Sequence, residues 1–283
     1  MKKHASKIRL NDEGENMKYM HSCLLLMIGV AGLLFGCERH SNEPRSASYA
    51  LEHGLLPTFA IKGEALPHMT LTERMKYYNV PGVSIAVIDN RALAWAQGYG
   101  IVEIGSSQAV TVDTLFQAAS ISKLATAMIV LSAVQSGELG LDDDVNAALQ
   151  SWKIPTNHYT REKKITLRAL LSHSAGVTVG EFHGYAVDEE LPTLLQILDG
   201  QKPANSKAIR VDTLPGSVWR YSGGGYVIVQ QLLEDITGKP FPEIAQERIF
   251  EKLDMKYSTF AQPLSQSLTN SAATGHWTDG YAV

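Results

Sequence analysis

An α+β fold, a strand pair followed by a largely helical region, follows from three observations. Val83–Ile88 is an apolar, partly alternating stretch, and Ala92–Ala96 follows it after a turn, so the two read as a hairpin. From Leu115 onward the texture changes to helical patterns with clear stops. The strands precede the helices instead of alternating with them, which argues against a chain of βαβ units. The 283 residues are 45% hydrophobic and 19% charged, the composition of a chain that buries a core.

The elements can be justified in order. Cys23–Gly36 is an uncharged apolar stretch of 14 residues, about 21 Å as a helix and short of a ~30 Å bilayer core. That length suits a signal-peptide core. It ends Leu34-Phe35-Gly36-Cys37, which resembles a bacterial lipobox with Cys37 as the lipidated residue, although Phe35 is bulkier than usual there. The acidic NDEGEN run before Met17 does not fit a cationic leader, whereas MKYMHS does, so translation is expected to start at Met17. Residues 1–37 are therefore read as leader and lipoprotein signal peptide, 38–68 as a tether and lead-in, and 69–283 as the folded domain. A helix is expected around Thr70–Tyr78, and the hairpin turn at Asp89-Asn90. Further helices are expected from about Ser120 to Ser136, from Thr166 to Gly176, from Gly225 to Gly238, and after Pro242.

Lys plus Arg number 25 and Asp plus Glu 29, a net charge of −4, with no basic block, so no nucleic-acid partner is expected. The two cysteines, Cys23 and Cys37, precede the folded body, which excludes a disulfide framework or cysteine zinc site from it. The nine histidines are scattered, and none pair at metal-ligand spacing, so neither metal nor cofactor is expected. No G-x-S-x-G, Walker, H-E-x-x-H or G-x-G-x-x-G motif occurs. His173, in LLSHSAG, reads as a structural histidine bonding near a helix end.

Two segments carry chemistry. In Leu115–Lys123, Ser120 and Lys123 stand three apart, on one face of a helix. A serine hydroxyl becomes nucleophilic when a neighbour takes its proton. A lysine does so in its neutral form, which apolar neighbours favour. The N–H groups at the helix start help to stabilise an oxyanion. With 22 serines and 15 lysines in 283 residues, about one such pair arises by chance, so the spacing alone says little. The second segment is PGSVWRYSGGGY, a turn, aromatic residues and three glycines opening a helix. Tyr221 just before the glycines is placed to relay a proton, and the glycines permit close backbone approach.

Together these segments resemble the class C β-lactamase-like family of penicillin-recognising serine hydrolases, which includes β-lactamases, DD-peptidases and esterases. The likeness runs from about Met69 to Phe260 through VPGVSIAVID, TLFQAASISK, GELGLDDDV, ITLRALLSHSAGVT, LPGSVWRYSGGGYVIVQQLLEDITGKPF and IFEKLDM, in the family's order. The resemblance implies a β-lactamase/transpeptidase-like fold with the site between sheet and helical domain. It implies Ser120 as acylated nucleophile, Lys123 as its proton acceptor, and Tyr221 in proton transfer, including activation of the deacylating water. The reaction implied is cleavage of an ester, amide or D-amino-acid peptide bond in a small-molecule or peptidoglycan-like substrate. A monomer, lipid-anchored on the periplasmic side of a bacterial envelope, is expected.

Two departures bear on substrate. Gly223, a substrate-binding position, stands where the β-lactamases carry the Asn of Tyr-x-Asn, which argues against efficient β-lactam hydrolysis. The family's Lys/His-x-Gly motif is not found, because Gly275-His276-Trp277-Thr278 follows Tyr221 too closely and lacks the glycine. The late sheet strands are accordingly expected to be missing by Val283, leaving the domain incomplete and poorly stable. The alternative to an active enzyme is then a truncated, non-catalytic or binding-only envelope protein.

Overall fold

The structure, a computed structural model, describes residues 47–186 and 189–277. The apolar leader, the Met17 start, Cys37 and the first part of the tether lie outside the described residues. No helix among the described residues is long and apolar enough to cross a membrane.

The lead-in is structured. Helix α1 (Ala47–His53) sets Glu52 to accept a 2.7 Å hydrogen bond from the Tyr99 hydroxyl, and Leu55 and Met69 exchange backbone bonds beyond it. Helix α2 (Leu71–Tyr77) starts on a capping box, in which Thr70 accepts from the Glu73 N–H and Glu73 accepts from the Thr70 N–H. Strands β1 (Gly82–Asp89) and β2 (Ala92–Gly100) form the expected antiparallel hairpin, in register Ile85 to Gln97 and Val87 to Trp95. The turn sits one residue later than expected. Asn90 and Arg91 both have positive φ, 48° and 64°, as a two-residue type I′ turn requires. Val83, Ile85 and Val87 are half-buried while Ser84, Ala86 and Ile88 are exposed, the period of a sheet covered on one face.

The helical part holds the core. A short 3₁₀ turn (Ala119–Ile121) leads into α3 (Ser122–Gln135), followed by α4 (Val145–Ala148), α5 (His158–Glu162), α6 (Leu167–Leu171) and α7 (Leu194–Asp199). Helix α8 (Gly223–Thr237) and helix α9 (Phe241–Ala245) come next; α9 continues through a π turn (Gln246–Phe250), and α10 (Gln266–Thr269) is last. Helix α8 is the central one, packed against α3, α4, α6, α7 and α9. It ends where expected, at Gly238 in the left-handed region (φ 66°). Its Ile228, Val229, Leu232 and Leu233 meet Ile129 and Val130 of α3, Leu170 of α6, Leu198 of α7 and Ile244 of α9 in one buried cluster. The helix expected from Thr166 to Gly176 stops at Leu171, because His173 turns left-handed (φ 59°).

Leu232 is fully buried (0% exposed), so truncating it leaves a cavity the surrounding helices cannot close. Leu232→Ala is expected to cost about 2–5 kcal/mol of unfolding free energy in urea titration. A change below 0.5 kcal/mol would contradict the central place of α8.

Candidate active site

Ser120 is delivered by a bend. Ala119 just before it has φ 43°, a left-handed conformation that costs a non-glycine residue about 1–3 kcal/mol and marks a place where backbone direction is imposed. The chain upstream is pinned, since the Leu115 N–H donates to Ser271 O and the Ala273 N–H to Leu115 O. One turn later Lys123 extends from the same face of α3, and its Nζ donates to Ser120 Oγ at 3.1 Å. The helix start is thus a 3₁₀ turn rather than regular α-helix, and the three-residue spacing still brings the two side chains together.

Tyr221 arrives from 101 residues away in sequence. Its hydroxyl donates to Ser120 Oγ at 2.8 Å, so lysine and phenol converge on one oxygen. Lys123 Nζ lies 5.0 Å from the centre of the Tyr221 ring and 5.6 Å from that of Tyr226. Hydrogen bonding with Lys123 first, then with Ser120, together with the Lys123 charge, holds the Tyr221 phenol below its ordinary value near 10. Burial pushes Tyr226 the other way, and its hydroxyl donates to Leu171 O at 3.2 Å. The two tyrosines therefore have opposite characters, and Tyr221 is the one prepared to lose a proton.

The glycines after Tyr221 are the first turn of α8, where the chain needs them. Ser222 is the N-cap, its Oγ accepting from the Gly225 N–H at 3.0 Å. The N–H groups of Gly223 and Gly224 donate to Gly180 O and Val179 O at 2.8 and 2.9 Å. A Cβ on Gly224 would stand 2.7 Å from Thr178 O. A Cβ on Gly223 would stand 2.9 Å from Gly180 O and 3.1 Å from the Phe182 ring.

Lys123, Gly223 and Tyr226 border a cleft of about 200 Å³ between α3 and α8, and Ala119, next to Ser120 in the chain, lines it too. It is lined by Ser122, Lys123 and Thr126 on one side and Gly223, Tyr226, Val227 and Gln230 on the other, with Phe182, Phe241 and Phe260 around it. Gly223 thus reaches the cleft, but its N–H is spent on Gly180. Phe182 escaped the sequence reading, because nothing in local spacing links it to a glycine 41 residues later. His276, in the discounted third-motif match, accepts the Ile104 N–H through Nε2.

A Beta-lactamase family profile matches residues 69–282. The chain belongs to the beta-lactamase family. This beta-lactamase-family chain is 30% identical over 185 residues to penicillin-binding protein 4 of Amycolatopsis lactamdurans, an alignment covering 64% of the chain and 45% of that relative. It is 25% identical over 227 residues to an unguisins hydrolase of Aspergillus violaceofuscus, covering 71% and 37% of the two. The chain therefore spans less than half the length of these curated relatives. Among solved structures, the octameric penicillin-binding protein homologue of Pyrococcus abyssi superposes with a TM-score of 0.58 at 24% identity, over 75% of this chain and 48% of that one. The beta-lactamase/D-alanine carboxypeptidase of Yersinia pestis, in complex with citrate, gives 0.58 at 23% identity, over 70% and 55%. The α+β fold and the family expected from the motifs are both met.

Proposed function

We propose that the protein is a serine hydrolase working through an acyl-enzyme on Ser120. The observation that carries this is the convergence of Lys123 and Tyr221 on Ser120 Oγ. In the first step, which needs the Lys123 amine without its extra proton, Oγ attacks the substrate carbonyl and that amine takes the hydroxyl proton. The bond to the leaving group breaks as the Tyr221 hydroxyl protonates that group, leaving phenolate beside ammonium. In the second step the phenolate removes a proton from water, which attacks the acyl carbon, and Ser120 departs with the proton held by Lys123. Both residues return to their starting states, and the net reaction is hydrolysis. The lowered Tyr221 proton affinity supports the phenolate it needs between steps.

The substrate we propose is an ester with a compact apolar acyl group, in preference to a β-lactam or a peptide. Position 223 offers no side-chain amide, and a Cβ there would press on Gly180 O at 2.9 Å and on the Phe182 ring at 3.1 Å. The walls of the cleft are largely aromatic and aliphatic. At about 200 Å³ the cleft exceeds the ~150 Å³ in which a benzene-sized group is held, so a phenyl or short alkyl chain fits. Export and lipid anchoring through Cys37, with a periplasmic location, are part of the same proposal, supported by the leader sequence. Radiolabelled palmitate incorporation lost in Cys37→Ser tests that part.

Turnover of p-nitrophenyl butyrate should exceed that of a chromogenic cephalosporin by about 10²-fold or more in kcat/KM, the worth of one or two missing polar contacts. Equal efficiencies would reject the ester assignment. Gly223→Asn should not confer cephalosporin turnover, and it should lower stability by about 1–3 kcal/mol through overpacking against Phe182 and Gly180. A stable Gly223→Asn protein that hydrolyses cephalosporins would show that Phe182 does not close this position.

A further inference from the structure

His173, just past the end of α6, is part of the site's support. The segment 173–180 runs alongside 216–224 and is stitched to it at nearly every step. The Gly216 N–H donates to Ser174 O at 2.7 Å, the Arg220 N–H to His173 O at 2.9 Å, and the Gly223 and Gly224 N–H groups to Gly180 O and Val179 O. Arg220 Nη2 adds a bond to Gly176 O at 3.1 Å while pairing with Asp212, and Ser222 Oγ donates to Thr178 O at 2.9 Å. One side chain of the 173–180 segment grips this backbone through a titratable atom: His173 Nδ1 accepts the Ser222 N–H at 3.1 Å. Its own carbonyl accepts from Arg220, so a single residue holds the chain on both sides of Tyr221. Its ring lies against the phenol, with centroids 4.5 Å apart at 38°, and 5.4 Å from the Tyr226 ring.

We propose that His173 is a positioning residue for the hydrolytic site, fixing the Tyr221 phenol on Ser120 by clamping residues 220 and 222. The inference rests on the reading of Ser120, Lys123 and Tyr221 given above. The backbone conformation is part of the device, because φ 59° at residue 173 is what lets carbonyl and imidazole face the same strand of chain.

A dependence on pH follows from the chemistry of the clamp. The Ser222 group is a donor, so the contact exists only while Nδ1 carries no proton. Protonation sets two N–H groups against each other. The titratable groups against the ring are Lys123 from α3, Tyr221 from the segment before α8, and Tyr226 from α8. Burial first, and the Lys123 charge second, hold the imidazole below its ordinary value near 6.5. The clamp is therefore closed at neutral pH and opens in acid, on the low side of the ordinary imidazole range. Its contribution to stability has the same sign, being present at neutral pH and lost on acidification.

Three variants test the proposal in the full chain, assayed with p-nitrophenyl butyrate. His173→Asn keeps an acceptor in the Nδ1 position, tolerates the left-handed backbone and does not titrate. It should retain kcat at pH 7.5 within about threefold and extend activity further into acid than the wild type. His173→Leu, of similar bulk without an acceptor, should lose about 10- to 10²-fold in kcat with KM changed less than threefold. His173→Gly, which accepts the backbone angle freely, should lose kcat to a similar extent. Thermal melts of each variant separate loss of fold from loss of positioning. An unchanged acid limb in His173→Asn, or full kcat in folded His173→Leu or His173→Gly, would overturn the clamp. Ser120→Ala is measured alongside. Turnover surviving there refutes the hydrolase reading itself, whereas an inactive Ser120→Ala beside indifferent His173 variants refutes only the clamp.

Discussion

Ser120→Ala should abolish covalent labelling by a fluorophosphonate probe and lower p-nitrophenyl ester turnover by about 10⁴-fold or more, among the largest single-residue losses expected in this protein. The size follows from what is removed. With Oγ gone, Lys123 and Tyr221 lose the atom on which both converge, at 3.1 and 2.8 Å, and neither replaces it as nucleophile. Water would then have to attack the ester directly, without a covalent intermediate. Intact mass spectrometry provides the readout: one adduct on the wild-type chain, and none on Ser120→Ala. A second serine carrying the label in the variant would move the nucleophile elsewhere. Ser120 is exposed, so the substitution leaves the helical core intact, and the melting curve should hardly change.

Lys123→Ala and Tyr221→Phe should fail at different steps. Without Lys123 the serine proton has no nearby amine to receive it, and acylation should slow by about 10³-fold, within the range general-base catalysis supplies. The pre-steady-state burst of p-nitrophenol then disappears. Tyr221→Phe keeps the amine, and p-nitrophenolate departs without needing a proton, so the burst should survive. What suffers is attack by water on the acyl-enzyme, and steady-state turnover should fall by about 10²-fold while the acylated chain accumulates. A full burst in Lys123→Ala, or its loss in Tyr221→Phe, would reverse the roles and make the phenolate the base for acylation.

How far the sequence discloses this arrangement depends on the range of each interaction. The hairpin was legible because side chains alternate along Val83–Val87, and Ser120 with Lys123 because three residues on a helical turn share a face. Helix ends at Gly137 and Gly238 were legible because both occupy left-handed positions that glycine alone fills without cost. Tyr221 could be singled out from its place before the glycines, but its pairing with Ser120 was reachable only through the family resemblance, since nothing local announces a partner 101 residues upstream. Three features were not legible. The helix after Thr166 ends early because His173 is recruited to the 216–224 segment, a tertiary demand that overrides the local pattern. Phe182 fills the space beside Gly223 from a loop with no periodicity. In the lead-in, α1 is a seven-residue helix fixed by its contact with Tyr99, too short for a pattern to stand out.

The first turn of α8 has one more consequence, which concerns negative charge. A helix normally begins with unsatisfied N–H groups that attract anions. Here the donors of Gly223, Gly224 and Gly225 are already committed to Gly180 O, Val179 O and Ser222 Oγ. The positive pole of this long central helix is therefore discharged into its own chain and has little left to offer a carboxylate or an oxyanion. At the other helix the Ile121 and Ser122 N–H groups are taken as well, by Ala118 O and Ala119 O, so what stands beside Ser120 there is the Lys123 side chain. Two helix starts thus face one cleft, and both spend their leading donors inside the chain.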